Sequence, residues 1–203
     1  MRKGQLLIIS GPSGCGKDTV LKEVFAAEPE IKFSISSITR PMREGEVQDG
    51  KYHFISREEF EAMLANNQLL EHNVYLDNYY GTPRKPVETC IENGQDIFVE
   101  VDVNGAEKIR KIIPDAISIF ILPPSYEVLK KRLSGRGTET PESLQKRLNE
   151  ALREIKRSPE YDYVVVNDRL EDAVNDVLTI IRADRNTANR QGDVIHKLIE
   201  EFE

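Results

Sequence analysis

A glycine-rich loop between a buried strand and a helix constrains this chain more than any other feature. The strand is the apolar run Leu6-Leu7-Ile8-Ile9, and the apolar face of the helix starts at Val20. The loop between them, Gly11–Lys17, fits the pattern G-x-x-x-x-G-K. Backbone N–H groups of such a loop surround phosphate oxygens, and the helix N-terminus adds a partial positive charge. The pattern therefore predicts a site for a nucleoside triphosphate, and we call Gly11–Lys17 the phosphate loop.

The chain departs from the usual pattern directly after this loop. Asp18 stands where a serine or threonine commonly contributes a hydroxyl to Mg²⁺, and Thr19 follows it. A carboxylate here repels phosphates unless a cation screens it or it points away. Two interpretations stay open: Asp18 lies near Mg²⁺ through a water molecule, or it faces solvent or pairs locally. We favour the first.

Strand-like apolar runs alternate with helical patterns along the chain. The strand-like runs lie at 6–10, 97–103, 117–122 and 163–167, and the helical patterns at 17–27, 104–113, 125–134, 141–157 and 170–185. This alternation predicts an α/β fold with a parallel sheet covered by helices on both faces. Thr82-Pro83 and Thr140-Pro141 are each predicted to place a cap before a first-turn proline.

The intervening residues predict an insertion into this core. Residues 36–95 are more polar, with short strands at 52–55 and 69–75 and one small helix that starts with the capping box of Ser56 and Glu59. A length of 203 residues suits one domain. The predicted parts are a core of residues 1–35 and 96–185, an inserted subdomain of 36–95, a short lid within 134–150 and a tail of 186–203.

Composition disfavours several classes of protein. The net charge of −7 disfavours a nucleic-acid partner. No apolar run approaches the ~20 residues of a membrane span, and the first strand starts too soon after Met1 for a signal peptide. Cys15 and Cys90 offer neither a disulfide framework nor zinc spacing. We expect a cytoplasmic protein without a membrane or nucleic-acid partner, as a monomer or homodimer.

A second anion site is predicted in the insertion. Arg40 and Arg43 lie three residues apart, and the hydroxyls of Ser36 and Tyr52 flank them. Arginine forms charge-assisted, bidentate hydrogen bonds to phosphate oxygens. Farther along, the carboxylates of Glu100 and Asp102 interrupt an apolar strand, where an unpaired charge is costly. The arginines and hydroxyls therefore suit one phosphate group, and the two carboxylates require a partner.

These segments resemble the guanylate kinase family over roughly residues 4–184. Besides the phosphate loop, the resemblance rests on ordered motifs at Ser37–Tyr52, Tyr79–Thr82, Glu100–Gly105, Lys130–Thr138 and Val164–Asp168. It implies a P-loop NTPase fold with a central parallel sheet, an inserted GMP-binding subdomain and a short lid. It also implies transfer of the γ-phosphoryl group of ATP to GMP, and to dGMP, with Mg²⁺ as the cofactor.

The resemblance further implies roles for single residues. The implied catalytic residues are Lys17, Arg136 and Arg147. The implied ATP-binding residues are Gly11, Pro12, Ser13, Gly14, Cys15, Gly16, Lys17, Asp18, Thr19, Arg132 and Asn167. The implied GMP-binding residues are Ser36, Arg40, Arg43, Tyr52, Glu71, Tyr80, Thr82, Glu100 and Asp102. Carboxylates suit the N1–H and N2–H₂ donors of guanine, and adenine lacks this arrangement.

Two alternatives remain at this point. Scaffold modules that resemble guanylate kinases bind phosphoproteins through the same arginine pocket, but they usually lose the phosphate loop or the lid arginines, and this chain keeps both. A kinase for a ribose bisphosphate or another nucleotide is the second alternative. The predicted guanine pocket of Glu71, Thr82 and Glu100 argues against it.

Overall fold

The computed structural model describes residues 3–135 and 140–203. The strands are β1 (Leu6–Ser10), β2 (Lys32–Phe33), β3 (Ser36–Ile38), β4 (Tyr52–Phe54), β5 (Leu69–Tyr75), β6 (Asn78–Pro83), β7 (Ile97–Glu100), β8 (Ile117–Leu122) and β9 (Tyr163–Val166). The helices are α1 (Lys17–Ala27), α2 (Arg57–Ala65), α3 (Arg84–Glu92), α4 (Val103–Ile112), α5 (Tyr126–Ser134), α6 (Pro141–Ile155), α7 (Leu170–Arg185) and α8 (Gly192–Glu200), with a 3₁₀ turn at Ser158–Glu160.

The core is a parallel sheet in the order β2-β7-β1-β8-β9, and the predicted α/β fold is confirmed. Side chains of a strand alternate between faces. Leu7 and Ile9 of β1 accordingly pack into a cluster with residues of α1 and α7, whereas Leu6 and Ile8 pack into a second cluster with residues of α3 and α4. Both faces of β1 are thus buried, which explains its uninterrupted apolar run.

Parallel pairing brings the functional segments to one edge of the sheet. In the register of the sheet, Ile9 of β1 lies opposite Glu100 of β7. The phosphate loop follows β1, Asp102 follows β7, and Asn167 follows β9. The carboxyl ends of parallel strands form the usual ligand crevice of such sheets.

The insertion forms a second sheet in the order β4-β3-β6-β5, which we call the inserted sheet. Its edge strand β5 lies against α4, where Lys108 Nζ donates to the His72 carbonyl at 2.6 Å and the Asn73 amide donates to Asp102. The predicted capping box of α2 is present, since Ser56 Oγ accepts from Glu59 N at 3.1 Å and Glu59 Oε2 accepts from Ser56 N at 2.8 Å.

The structure differs from the predicted helix starts at one place. Thr140 caps α6 as predicted, accepting from Ser143 N at 3.2 Å. The prediction for Thr82 was wrong: β6 continues through Pro83, and α3 begins at Arg84 without a side-chain cap. The Thr82 hydroxyl instead donates to buried Glu71. The predicted helix start lies one residue before the observed start of α3, but no helical pattern was assigned to the residues of α3.

Helix α3 joins the insertion to the core. Its Val87 is fully buried in the cluster that contains Leu6 and Ile8. The boundary predicted at residue 95 therefore assigns to the insertion a helix that packs on the core sheet, and the domain division stays a prediction. Within the described residues, no helix combines the length and the apolar character needed to cross a bilayer.

Candidate nucleotide-binding site

The phosphate loop has the backbone conformation that anion binding requires. Gly11, Gly14 and Gly16 have φ angles of 150°, 87° and 95°, which disfavour residues with a side chain. A Cβ atom on Gly16 would also lie 2.3 Å from Asn167 Nδ2. Lys17 is the first residue of α1, and its ammonium donates to the Gly11 carbonyl across the loop. The loop thus has the conformation of a phosphate-binding loop.

Two predicted ATP-binding residues form hydrogen bonds to the backbone of this loop. Asn167 Nδ2 and an Arg132 guanidinium N–H donate to the Cys15 carbonyl at 2.8 Å and 3.2 Å. Arg132 also donates to the Asn167 carbonyl at 3.2 Å. These bonds attach the loop to the segments that carry Asn167 and Arg132. The Cys15 thiol itself is fully buried, and burial raises its pKa, so it is a packing residue.

A predicted lid arginine also reaches the phosphate loop. Arg147, on α6, donates to Ser13 Oγ at 2.7 Å. This places a guanidinium at the mouth of the loop, as expected of a group that contacts ATP phosphates. Arg136, the other predicted clamp, lies outside the described residues.

On the acceptor side, Arg40 is oriented by Glu46. Its guanidinium makes two hydrogen bonds to Glu46, of 2.7 Å and 2.6 Å, and lies 5.5 Å from the ring centre of Tyr52. The bond to Arg40, with one from the Arg43 backbone N–H, lowers the pKa of the Glu46 carboxyl to about 2. Tyr80 also lies beside Arg40. Sequence reasoning missed Glu46, although it lies in the same motif.

The remaining predicted phosphate ligands flank this arginine. Ser36 of β3 is the register partner of Tyr52 in β4, so the pairing of these parallel strands brings two predicted hydroxyls together. The Arg43 side chain is exposed in the loop after β3. The structure thus groups Ser36, Arg40 and Tyr52, and leaves Arg43 extended towards solvent.

The predicted guanine-reading residues form a buried polar pair. Thr82 Oγ1 donates to Glu71 Oε1 at 2.7 Å, and neither residue is exposed. Burial raises the pKa of the Glu71 carboxyl, Thr82 opposes the shift, and Asp102 adds to it. Asp102 caps α4 by accepting from Gly105 N at 2.8 Å, so this predicted GMP residue has a structural role as well.

One cleft joins the two predicted sites. It has a volume of about 830 Å³, within the usual range of ligand pockets. Its lining includes residues predicted for ATP and for GMP: Gly11, Lys17, Asp18, Thr19, Tyr52, Glu100, Asp102, Arg132 and Asn167. We call it the nucleotide cleft. The other predicted GMP residues lie in the inserted sheet and in the loop after β3.

Asp18 pairs locally in this structure. Its carboxylate contacts the ammonium of Lys51, and Lys51 Nζ lies 3.0 Å from Glu100 Oε2. This is the second of the two interpretations made from the sequence, and the water-mediated contact with Mg²⁺ stays a prediction. Sequence reasoning did not identify Lys51, whose one signal was its place next to Tyr52.

Glu154 is a further residue of the cleft that sequence reasoning missed. It lies on α6, seven residues after Arg147 and hence on the same helix face. Burial raises the pKa of its carboxyl to about 7, Lys17 opposes the shift, and Glu150 and Asp102 add to it. Near neutral pH this carboxyl is therefore only partly ionised.

The raised pKa of Glu154 predicts a pH-dependent effect on stability. The folded protein holds this proton up to about pH 7, whereas the unfolded chain releases it near pH 4.5. Stability is consequently lost as pH rises between these values. We expect Glu154→Gln to raise the Tm of the ligand-free protein by about 2 °C or more at pH 8 and to leave it nearly unchanged at pH 5.

Differential scanning calorimetry at both pH values measures this effect. Glu23→Gln, at an exposed position of α1, is the matched control and should change the Tm little at either pH. Equal effects of Glu154→Gln at pH 5 and pH 8 would contradict the assigned pKa.

Comparison with known proteins shows that this chain is similar to guanylate kinases. A sequence model of the guanylate kinase family matches residues 3–184. The chain is 46% identical over 199 residues to a guanylate kinase of Oceanobacillus iheyensis, covering 98% of this chain and 97% of that protein. It is 42% identical over 202 residues to a guanylate kinase of Clostridioides difficile, covering 100% and 97%.

A solved structure shows the same fold. The crystal structure of guanylate kinase from Anaplasma phagocytophilum superposes with a TM-score of 0.77 at 33% identity and covers 93% of this chain and 90% of that one. The family match extends over both the core sheet and the inserted sheet. The chain therefore belongs to the guanylate kinase family.

Proposed function

We propose that this protein is an ATP:GMP phosphotransferase that catalyses ATP + GMP ⇌ ADP + GDP. One observation carries the proposal: the phosphate loop shares a single cleft with Tyr52 and Glu100 of the predicted GMP site. A donor in the loop and an acceptor beside Tyr52 would have their phosphates in the same space. We further propose that the reaction serves purine nucleotide metabolism and GMP recycling in the cytoplasm.

The chain's own residues can supply the catalysis by positioning and charge. Phosphoryl transfer requires in-line alignment and neutralisation of the equatorial oxygens, and little covalent chemistry from the protein. Lys17 would exchange the Gly11 carbonyl for the β- and γ-phosphates of ATP, and Arg147 would clamp them from α6. Arg40, already oriented by Glu46, would hold the GMP phosphate in line with them.

Specificity for guanine follows from buried acceptors. Glu71, fixed by Thr82, and Glu100 would accept hydrogen bonds from guanine N1–H and N2–H₂. An adenine in this pocket would leave the carboxylates unpaired, and a site built around hydrogen bonds rejects such an analogue strongly. The same contacts are possible with dGMP, and we propose dGMP as a second substrate.

The donor set of the cleft fits Mg²⁺ bound together with ATP. Mg²⁺ prefers oxygen ligands, keeps several waters, and usually binds through one or two carboxylates plus substrate phosphates. The carboxylate of Asp18 and the hydroxyl of Thr19 line the cleft beside the loop. Lys51 contacts Asp18 Oδ1, and Oδ2 could accept from a water of the ion. The ion would add positive charge at the ATP phosphates.

A substrate panel tests the proposed reaction. In a coupled assay of ADP formation with ATP, we expect GMP to be phosphorylated with a kcat/KM about 10⁴-fold above that of AMP, because adenine leaves buried carboxylates unpaired. dTMP and ribose 1,5-bisphosphate serve as further acceptors and should be poor substrates. Preference for any of these over GMP would overturn the proposal, and inactivity with every acceptor would favour a scaffold module.

Two substitutions should separate the acceptor site from the transfer step. Arg43→Ala removes a predicted charge-assisted contact to the GMP phosphate, so the KM for GMP should rise about 10-fold or more while the KM for ATP stays within about threefold. Lys17→Ala should lower kcat about 100-fold or more at saturating substrates. Arg57→Ala removes an exposed arginine of the insertion and is the control. Equal rises in both KM values for Arg43→Ala would contradict the assignment.

The proposed metal contact is tested through Asp18→Ser. If the carboxylate orients a water of Mg²⁺, its removal weakens that contact, and we expect the free Mg²⁺ needed for half-maximal activity to rise severalfold. The titration is done at fixed, saturating ATP and GMP. An unchanged Mg²⁺ requirement would show that Asp18 only pairs locally.

A further inference from the structure

Lys51 occupies a position where three parts of the molecule meet. It lies in the turn before β4, and its ammonium contacts Asp18 at the start of α1 and Glu100 at the end of β7, the latter at 3.0 Å. Its side chain is half-buried, and its Nζ lies 5.9 Å from the ring centre of the adjacent Tyr52. One ammonium thus links the predicted GMP-phosphate site, the predicted guanine site and the phosphate loop.

This contact fixes one edge of the inserted sheet. Strand β5 forms one edge of that sheet and is held against α4 through His72 and Asn73. Strand β4 forms the opposite edge, and Lys51 ties it to the core sheet at Asp18 and Glu100. The position of Tyr52 relative to the phosphate loop therefore depends on this ion-pair cluster.

The charges explain why a cation is needed there. Asp18 brings a carboxylate to a helix N-terminus that otherwise attracts phosphates, and Glu100 adds a second carboxylate on the same cleft. Burial by itself would lower the pKa of the Lys51 ammonium, but Glu100 and Asp18 more than offset this and raise it, so Lys51 remains charged. The neighbouring carboxylates and the ammonium thus stabilise one another.

We propose that Lys51 is a positioning residue that neutralises Asp18 and thereby allows the phosphate loop to bind ATP although a carboxylate follows Lys17. Lys51 also holds the acceptor side of the cleft against the loop, and this second part rests on the proposed function. The compensation is specific to the pair: a chain without the carboxylate at position 18 would not require the ammonium at position 51. Removal of both charges should therefore restore the ATP affinity that is lost when the Lys51 ammonium alone is removed.

The test measures ATP affinity by isothermal titration calorimetry in the presence of EDTA, so that no change in Mg²⁺ coordination enters. We expect Lys51→Met to weaken ATP binding about tenfold, because the Asp18 carboxylate then acts on the phosphates without a paired ammonium. Lys51→Met combined with Asp18→Ser should return the Kd to within about twofold of the original protein. Lys51→Arg, which keeps the charge, should stay within about twofold as well.

Lys22→Met is the matched control for loss of a positive charge on the same side of the protein. Lys22 is an exposed residue of α1 that lines a groove together with Asp18 and Lys51. Its substitution should change the Kd for ATP less than twofold, because an exposed charge is screened by salt. Thermal unfolding of every variant confirms that the folded protein is being compared.

Three results would overturn the proposal. An unchanged Kd for Lys51→Met would show that Asp18 needs no ammonium, and a double variant as weak as Lys51→Met would show that Lys51 acts through something other than Asp18. A tenfold loss for Lys22→Met would show a general effect of charge. The proposed reaction fails separately, through absence of GMP phosphorylation by the original protein, because ATP binding is measured without an acceptor.

Discussion

The structure depends on the turn that leads from β1 into α1. Within that turn the Cys15 N–H donates to the Pro12 carbonyl, and the Cys15 carbonyl accepts hydrogen bonds from Asn167 and Arg132. Asn167 follows β9 and Arg132 lies on α5, so the loop is formed only when the parallel sheet has brought these distant segments together. The buried pairing of β1 with β7 and β8 is what fixes this edge of the sheet. The anion site is thus a product of the whole core.

A second constraint is the crowding of carboxylates beside a site for phosphates. The carboxylates that line the cleft include Asp18, Glu100, Asp102 and Glu154, and these four are accommodated in three ways. Asp18 and Glu100 share the Lys51 ammonium, and Asp102 caps α4. The pKa of Glu154 is raised by burial to about 7, so it is partly protonated near neutral pH. Opposite charges, a helix N-terminus and proton uptake are the physical means by which carboxylates are tolerated beside a phosphate site.

Much of the fold and of the site could be predicted from the chain alone. The runs that became β1, β7 and β8 are apolar because both faces of the sheet are covered there, whereas β9 is an edge strand that buries only Val165. The alternation of these runs with helical patterns predicted the parallel sheet. The phosphate loop and the predicted partners Arg132, Arg147 and Asn167 meet in space as expected. The sequence rules for helix caps failed at Thr82, whose hydroxyl donates to buried Glu71 and does not cap a helix. They also assigned no helical pattern to α3, whose Val87 is buried in a cluster with residues of the core sheet, α4 and β5.

The sequence by itself determined the chemistry of the loop, the alternation of strands and helices, and the residue types that suit phosphate and guanine, because these depend on spacing along the chain and on side-chain chemistry. Only the tertiary structure decided the partners of the charged groups. Lys51 reaches Asp18 across 33 residues, and Arg147 reaches Ser13 across 134. Glu46 orients Arg40 through the shape of a loop that follows no helix or strand period. Such pairs depend on the distances between helices, strands and loops. The packing of the core sheet and the inserted sheet sets these distances, and a sequence pattern carries no information on them.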